Sequence, residues 1–199
     1  MPYSYTNRQG KTHYFRAVET KTGKHRYYVT SSDNFEDLIE EVPLGFEVTE
    51  LPEEAKVVIR KKKPLLVTQE EKEIVHDAIA EFSGIKDFFI HAEGPMLSVY
   101  QSQFSSTGGQ EESLSREEAI KFYGPEIEKW MRFLTSLRFV LVDKEQRLFQ
   151  TERMVYLSFF DHDFHPVGRP GQIEDVAREY GQHLGRVSFF DIVPNGFEE

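Results

Sequence analysis

Acidic and imidazole side chains gather in one short stretch of the sequence, FFDHDFHPVG. The cluster comprises Asp161, His162, Asp163 and His165. In an extended chain, Asp161, Asp163 and His165 would share one face because successive side chains alternate. Mixed oxygen and nitrogen ligands of this kind suit Zn, Mn or Fe. A hydrolytic site would need one more ligand, for which His183 and Glu174 are the candidates. This pattern predicts a metal-dependent hydrolase.

The same stretch also fits a loop between a strand and a helix. Asp and His are common in loops because they satisfy turns and helix caps. No H-E-x-x-H motif accompanies the cluster, and no G-x-G-x-x-G or phosphate-binding loop occurs in the chain. We therefore favour the loop interpretation, predict no cofactor, and favour a protein without catalytic activity over an enzyme.

A second candidate lies near the start, in THYFRAVETKTGKHRYYV, residues 12–29. Strand-like residues flank a Thr-Gly-Lys turn, which predicts a hairpin. Alternation places Phe15 and Val29 on the more apolar faces, so we expect them to point inward. The outer surface would then carry Tyr14, Arg16, Lys21, Lys24, Arg26 and Tyr28.

Two interpretations of this basic, aromatic hairpin compete. Cations that hold phosphates beside tyrosines that stack on bases are typical of single-stranded nucleic acid binding, and the same surface could contact a protein. Alternatively, the aromatic side chains cover the core while the cations stay in solvent or protect a sheet edge.

The charge distribution bears on whether the hairpin binds nucleic acid. The net charge of −10 argues against general affinity for nucleic acid or anionic membrane. Residues 1–31, however, carry a balance of +5, whereas residues 64–199 carry −11. The basic end alone could therefore bind a polyanion, or it could equally dock on the acidic remainder of the chain. We expect a protein as the possible partner, consider nucleic acid the less favoured one, and expect no membrane contact.

Length and composition set the class of protein. The 199 residues suffice for one domain, or for a small module joined to a medium one. The absence of cysteine excludes disulfides, thiolate catalysis and Cys-based zinc sites. No apolar run approaches the ~20 residues that span a bilayer, and the polar N-terminus lacks the apolar core of a secretory signal. We expect a cytoplasmic protein, and the sequence gives no indication of its oligomeric state.

Periodicity and turn residues predict an α+β fold with antiparallel sheets, an N-terminal β-meander and three to four packed helices. We expect a β-rich region over residues 1–63 and an acidic α+β region over 64–199, or one continuous domain. Capping boxes at Thr68/Glu71 and Ser115/Glu118 mark two helix starts. The predicted helices include Thr68–Phe82, Pro125–Leu134 and Gln172–Leu184, and the predicted strands include Leu137–Asp143, Arg147–Leu157 and the final RVSFFDIV.

Several short segments also resemble a family of uncharacterised bacterial proteins. The resemblance lies in YTNR with GKT near the start, the TKTGK turn, RFVLVDKEQRLF in the centre, and HLG with SFF near the end. It implies no activity, ligand or site residue. The small basic sheet is also similar, in charge and turns alone, to the arm-type DNA-binding modules of phage integrases.

Overall fold

Antiparallel strands and α-helices form the described part of the chain, as predicted for an α+β protein. The computed structural model describes residues 1–105, 113–156 and 162–196. Within these ranges the chain has ten strands and four α-helices. None of these helices is long and apolar enough to cross a membrane. The chain divides into two compact units, Met1–Lys63 with Pro125–Arg132, and Pro64–Gly124 with Phe133–Glu199.

The elements follow one another in chain order. They are β1 (Ser4–Thr6), β2 (Thr12–Glu19), β3 (His25–Thr30), β4 (Phe46–Glu50), β5 (Val57–Lys61), α1 (Gln69–Phe82), β6 (Phe88–Glu93), β7 (Met96–Ser102), α2 (Arg116–Tyr123), α3 (Ile127–Trp130), β8 (Phe133–Asp143), β9 (Leu148–Tyr156), β10 (His162–Gly171), α4 (Ile173–Gly181) and a final 3-10 turn (Val187–Phe189).

The first unit is built on the predicted meander. Strands β1, β2 and β3 form a three-stranded sheet in that order, and β4 pairs with β5 as a separate hairpin. Phe15 of β2 is completely buried, and the ring of Tyr3 lies 5.5 Å from it. The rings of Tyr27 and Phe46 meet edge to face at 4.7 Å between centroids. Aromatic side chains therefore supply much of the core of this small unit.

The second unit is a five-stranded antiparallel sheet with the order β10-β9-β8-β7-β6. Helices α1 and α4 pack against each other and against the sheet. Both helices are amphipathic, so each has one apolar stripe that can cover the sheet. The largest completely buried side chains of the resulting core are Ile79, Leu97, Leu137, Phe139 and Phe149.

Helix α1 begins at the predicted capping box. The Glu71 N–H donates to Thr68 Oγ1 at 3.1 Å, and the Thr68 N–H donates to Glu71 Oε2 at 2.7 Å. The same carboxylate accepts from Arg147, whose Nε and Nη2 lie 2.8 and 2.6 Å from Glu71 Oε1. Arg147 also donates to the carbonyl of Leu66. Glu71 is only 7% exposed, and these donors satisfy its buried charge.

Two predicted elements are wrong. The helix predicted over Pro125–Leu134 is restricted to Ile127–Trp130, and Leu134 belongs to strand β8. Pairing with β7 explains the difference, because Phe133 and Leu134 lie opposite Ser102 and Gln101.

The segment RVSFFDIV, predicted as a strand, forms no strand, and Val187–Phe189 within it are a 3-10 turn. Bonds between residues three apart hold it, from the Phe189 N–H to the Arg186 carbonyl and from the Phe190 N–H to the Val187 carbonyl. A hydrogen bond of 2.8 Å between His183 Nδ1 and Ser188 Oγ ties this turn to the end of α4.

The loop interpretation of residues 161–165 is also wrong for the part that is described. Strand β10 begins at His162 and pairs with β9 along most of its length. It is an edge strand of the five-stranded sheet, which explains how it accommodates Pro166 opposite Glu152.

We predict that Glu71→Ala destabilises the second unit by about 2 to 3 kcal/mol, because it leaves the Arg147 guanidinium unpaired and removes the cap of α1. Glu118→Ala is the matched control, since Glu118 completes the capping box of α2 with Ser115 but is exposed. Urea unfolding should show a clearly smaller loss for the control. Equal losses would mean that the Arg147 contact contributes nothing beyond the cap.

Candidate functional site

The hairpin of β2 and β3 sorts its side chains onto two faces. In the register, Arg16 lies opposite Tyr28, and Val18 lies opposite Arg26. Paired residues point to the same side of a sheet, so Arg16, Arg26 and Tyr28 share one face with Tyr14. Phe15 lies opposite Val29 on the other face, where it is buried. Tyr28 is 48% exposed, so the first face presents an aromatic ring to solvent.

Arg16 is held by a second segment of the same unit. Its Nε and Nη2 donate to Asp37 Oδ1 and Oδ2 at 2.7 and 2.8 Å, and its guanidinium lies 3.9 Å from the ring centroid of Phe35. The Ala17 N–H donates to the Asp37 carbonyl, which fixes this segment along the edge of β2. The positive charge of Arg16 is therefore neutralised inside its own unit, so Arg16 adds no free charge to the outer face of the hairpin.

The other cations of the hairpin have no such partner. Lys21, Lys24 and Arg26 are exposed, and no acidic side chain of the described residues forms an ion pair with them. Elsewhere in the unit, Arg8 pairs with Glu50 at 2.8 Å and Arg60 pairs with Glu47 at 3.0 Å. These pairs leave a local positive charge at the tip and outer face of the hairpin.

The turn that carries these lysines is tightly bonded. The Thr20 N–H donates to the Lys24 carbonyl at 2.7 Å, and the Lys24 N–H donates to Thr20 Oγ1 at 3.2 Å. The Gly23 N–H donates to the Thr20 carbonyl, and Gly23 adopts φ +73°, a conformation that suits glycine. The backbone at the lysines is thus held by hydrogen bonds within the turn itself.

Sequence reasoning missed a second cationic feature of this unit. A pocket of about 340 Å³ is lined by Arg8, Gln9, Lys11, Glu54, Trp130, Met131 and Arg132. Trp130, which falls within the helix predicted over Pro125–Leu134, is 58% exposed. The lining residues come from three distant parts of the chain, so no local pattern could have indicated the pocket.

The predicted metal ligands are only partly described. Asp161 lies outside the described residues. Asp163 and His165 lie two positions apart in β10 and therefore share one face, as an extended chain predicts. Asp163 is exposed, and its Oδ1 accepts the Phe164 N–H at 2.7 Å. His165 lies opposite Arg153, a cation that disfavours a metal ion at that position. Over residues 1–105, 113–156 and 162–196, no three His, Asp or Glu side chains converge as a metal site.

No family model, curated protein or solved structure matches this chain. Its function is therefore inferred from the geometry of the chain itself. The surface with the clearest chemical character in that geometry is the outer face and turn of the β2–β3 hairpin. Its charge is uncompensated, its turn is ordered, and one tyrosine is half exposed beside the cations.

The bond to Arg16 lowers the pKa of the Asp37 carboxyl from its ordinary value. A pKa that is lower in the folded state contributes stability above the unfolded pKa, and this contribution is lost as the pH falls through the folded value. We expect Arg16→Gln to raise the Asp37 pKa, as followed by NMR of the carboxyl carbon against pH. An unchanged titration curve in the variant would contradict the bidentate pair.

We predict that protein purified without chelators contains Zn, Mn and Fe at well below one ion per chain. The physical reasons are the exposure of Asp163 and the position of Arg153 opposite His165. Mass-spectrometric metal analysis of the wild type and of Asp163→Ala tests this. Stoichiometric metal that disappears in the variant would establish the metal site and favour the hydrolase instead.

Proposed function

We propose that this protein is a non-catalytic binding protein of the cytoplasm that contacts an acidic segment of a protein partner through the β2–β3 hairpin. The observation that carries the proposal is the group of three exposed, unpaired cations, Lys21, Lys24 and Arg26, on an ordered hairpin of an otherwise acidic chain. The described residues supply no acidic side chain to pair with these cations, so carboxylates of a partner would supply the counter-charges.

The aromatic side chains beside the cations support a protein partner. Tyr28 is exposed two residues from Arg26, and the partly exposed ring of Phe35 lies 3.9 Å from the guanidinium of Arg16. Tyr and Arg are enriched among the residues that contribute most to protein interfaces. A partner segment that combines acidic and aromatic or apolar residues would match both parts of this surface.

Charge distinguishes an acidic protein segment from a nucleic acid. A nucleic acid carries a phosphate at every nucleotide, and its long row of charges would experience the net −10 of the whole chain. A short acidic segment needs only the local potential, since charges farther away than about 8 Å are largely screened at physiological salt. The same hairpin can therefore attract the segment while the chain as a whole repels a polyanion.

The test compares two double variants with equal changes in charge. Lys24→Glu/Arg26→Glu alters the hairpin, whereas Lys61→Glu/Lys62→Glu alters exposed cations at the end of β5. Arg16 is left intact, because its loss would break the Asp37 pair. The probe is a short fluorescein-labelled peptide of alternating Glu and Tyr, and binding is measured by fluorescence anisotropy at low and physiological salt.

We expect the hairpin variant to lose about tenfold or more in affinity for the peptide, and the β5 variant to retain most of it. Equal losses would contradict a defined site, because they would show that net charge alone controls binding. A labelled oligothymidine run in parallel provides the second arm. Stronger binding of this oligonucleotide than of the peptide, with the same sensitivity to the hairpin variant, would replace the protein partner by nucleic acid.

A further inference from the structure

The pocket of about 340 Å³ lies wholly within the first unit. Three segments form it: the turn between β1 and β2, the turn between β4 and β5, and the end of α3 with the two residues that follow. We call it the Trp130 pocket. None of its lining residues belongs to the hairpin surface proposed above, so the two sites can be tested separately.

Hydrogen bonds join two walls of the Trp130 pocket. Asn7 is 6% exposed, and its Nδ2 donates to the Ala55 carbonyl at 2.8 Å, which ties the β1–β2 turn to the β4–β5 turn. Its Oδ1 accepts the N–H groups of Gln9 and Lys11 at 3.1 and 3.0 Å. Both turns are therefore held in place by contacts within the unit, as the walls of small-molecule sites usually are.

The pocket has three cationic lining residues, and two of them have no counter-charge. Arg8 is occupied, because its Nη1 pairs with Glu50 Oε1 at 2.8 Å and its Nη2 donates to the Pro52 carbonyl at 2.6 Å. Lys11 and Arg132 are exposed, and within the described ranges neither forms an ion pair. The pocket thus offers two free positive charges to an anionic ligand.

An aromatic ring and a carboxylate complete the lining. Trp130 is 58% exposed, so its indole is accessible to a second flat ring. Base–aromatic stacking of this kind is tolerant of the base, because every base has a π-face. Glu54 is also exposed, and a carboxylate accepts hydrogen bonds from hydroxyl or amino groups. The ligand that fits this set has a flat ring, an anionic group and hydrogen-bond donors.

We propose that the Trp130 pocket binds a mononucleotide. Its base would stack on Trp130, its phosphate would bind Lys11 and Arg132, and a ribose hydroxyl or base amino group would donate to Glu54. The volume lies within the range of about 300 to 1,000 Å³ typical of small-molecule sites. A single phosphate responds to the local charge, since distant acidic residues are screened at physiological salt, whereas a polynucleotide meets the net −10 of the chain.

Intrinsic fluorescence tests the proposal, because Trp130 is the only tryptophan of the chain. Adenosine monophosphate titrated into the full chain should quench this fluorescence through stacking, and calorimetry gives the affinity. Ribose 5-phosphate lacks the ring, and phenyl phosphate lacks the ribose hydroxyl and base amino groups. We expect the nucleotide to bind about tenfold more tightly than either of them.

Variants of the free cations locate the phosphate. Lys11→Gln/Arg132→Gln should lose about tenfold or more in affinity for adenosine monophosphate. Lys61→Gln/Lys62→Gln is the matched control, because it removes the same charge from exposed lysines of the same unit, and it should bind as the wild type does. Unchanged melting temperatures in both double variants would show that the fold is intact.

Two further variants separate the remaining contacts. Glu54→Leu should abolish the preference for adenosine monophosphate over phenyl phosphate. Lys24→Glu/Arg26→Glu should leave nucleotide binding unchanged, so failure of the hairpin proposal and failure of this one are distinguishable. The proposal is overturned if millimolar nucleotide neither quenches Trp130 nor releases heat, if all three probes bind equally, or if the two glutamine double variants lose the same affinity.

Discussion

The carboxylate of Glu71 joins the start of helix α1 to the turn between β8 and β9, 76 positions further along the chain. Arg147, which supplies the other half of the pair, adopts φ +54°, a left-handed conformation uncommon for residues other than glycine. A buried ion pair with further hydrogen bonds can hold such a residue in place. Helix α1 is therefore anchored at one end by charge and along its length by its apolar stripe.

Helices α1 and α4 bury the middle of one sheet face, where Leu137 and Phe139 are inaccessible. After α4, Gly185 adopts φ +75°, and the chain continues into the 3-10 turn. This turn, rather than a helix, lies beside the ends of β7 and β8. A cavity of about 280 Å³ lies at this change of covering element, lined by residues of β7, of β8 and of the chain after α4.

Elements with local signals were predictable from the sequence. The capping boxes at Thr68 and Ser115 depend on residues three positions apart, and both helices begin there. Leu134 shows the opposite case: it was predicted at the end of the helix over Pro125–Leu134, but it pairs with Gln101 of β7 and belongs to strand β8. The aromatic run at Ser188-Phe189-Phe190 suited a strand by composition, yet it forms a 3-10 turn held by local backbone bonds and by His183. Non-local pairing and turn geometry therefore decided what periodicity alone could not.

The same contrast between local and non-local determinants applies to the hairpin surface. Alternation correctly indicated that Arg16, Arg26 and Tyr28 share a face, since period two is a local property of a strand. Whether each cation is available for binding depends on partners far away in sequence, and Asp37, 21 positions from Arg16, neutralises that one. Lys21 and Lys24 lie in a turn that is closed by backbone groups and by Thr20 Oγ1, and their own side chains are exposed. The unpaired positive charge of the hairpin therefore lies at its turn and at Arg26 rather than at Arg16. The exposed rings of Tyr28 and Phe35 lie further from the turn, beside Arg26 and Arg16 respectively.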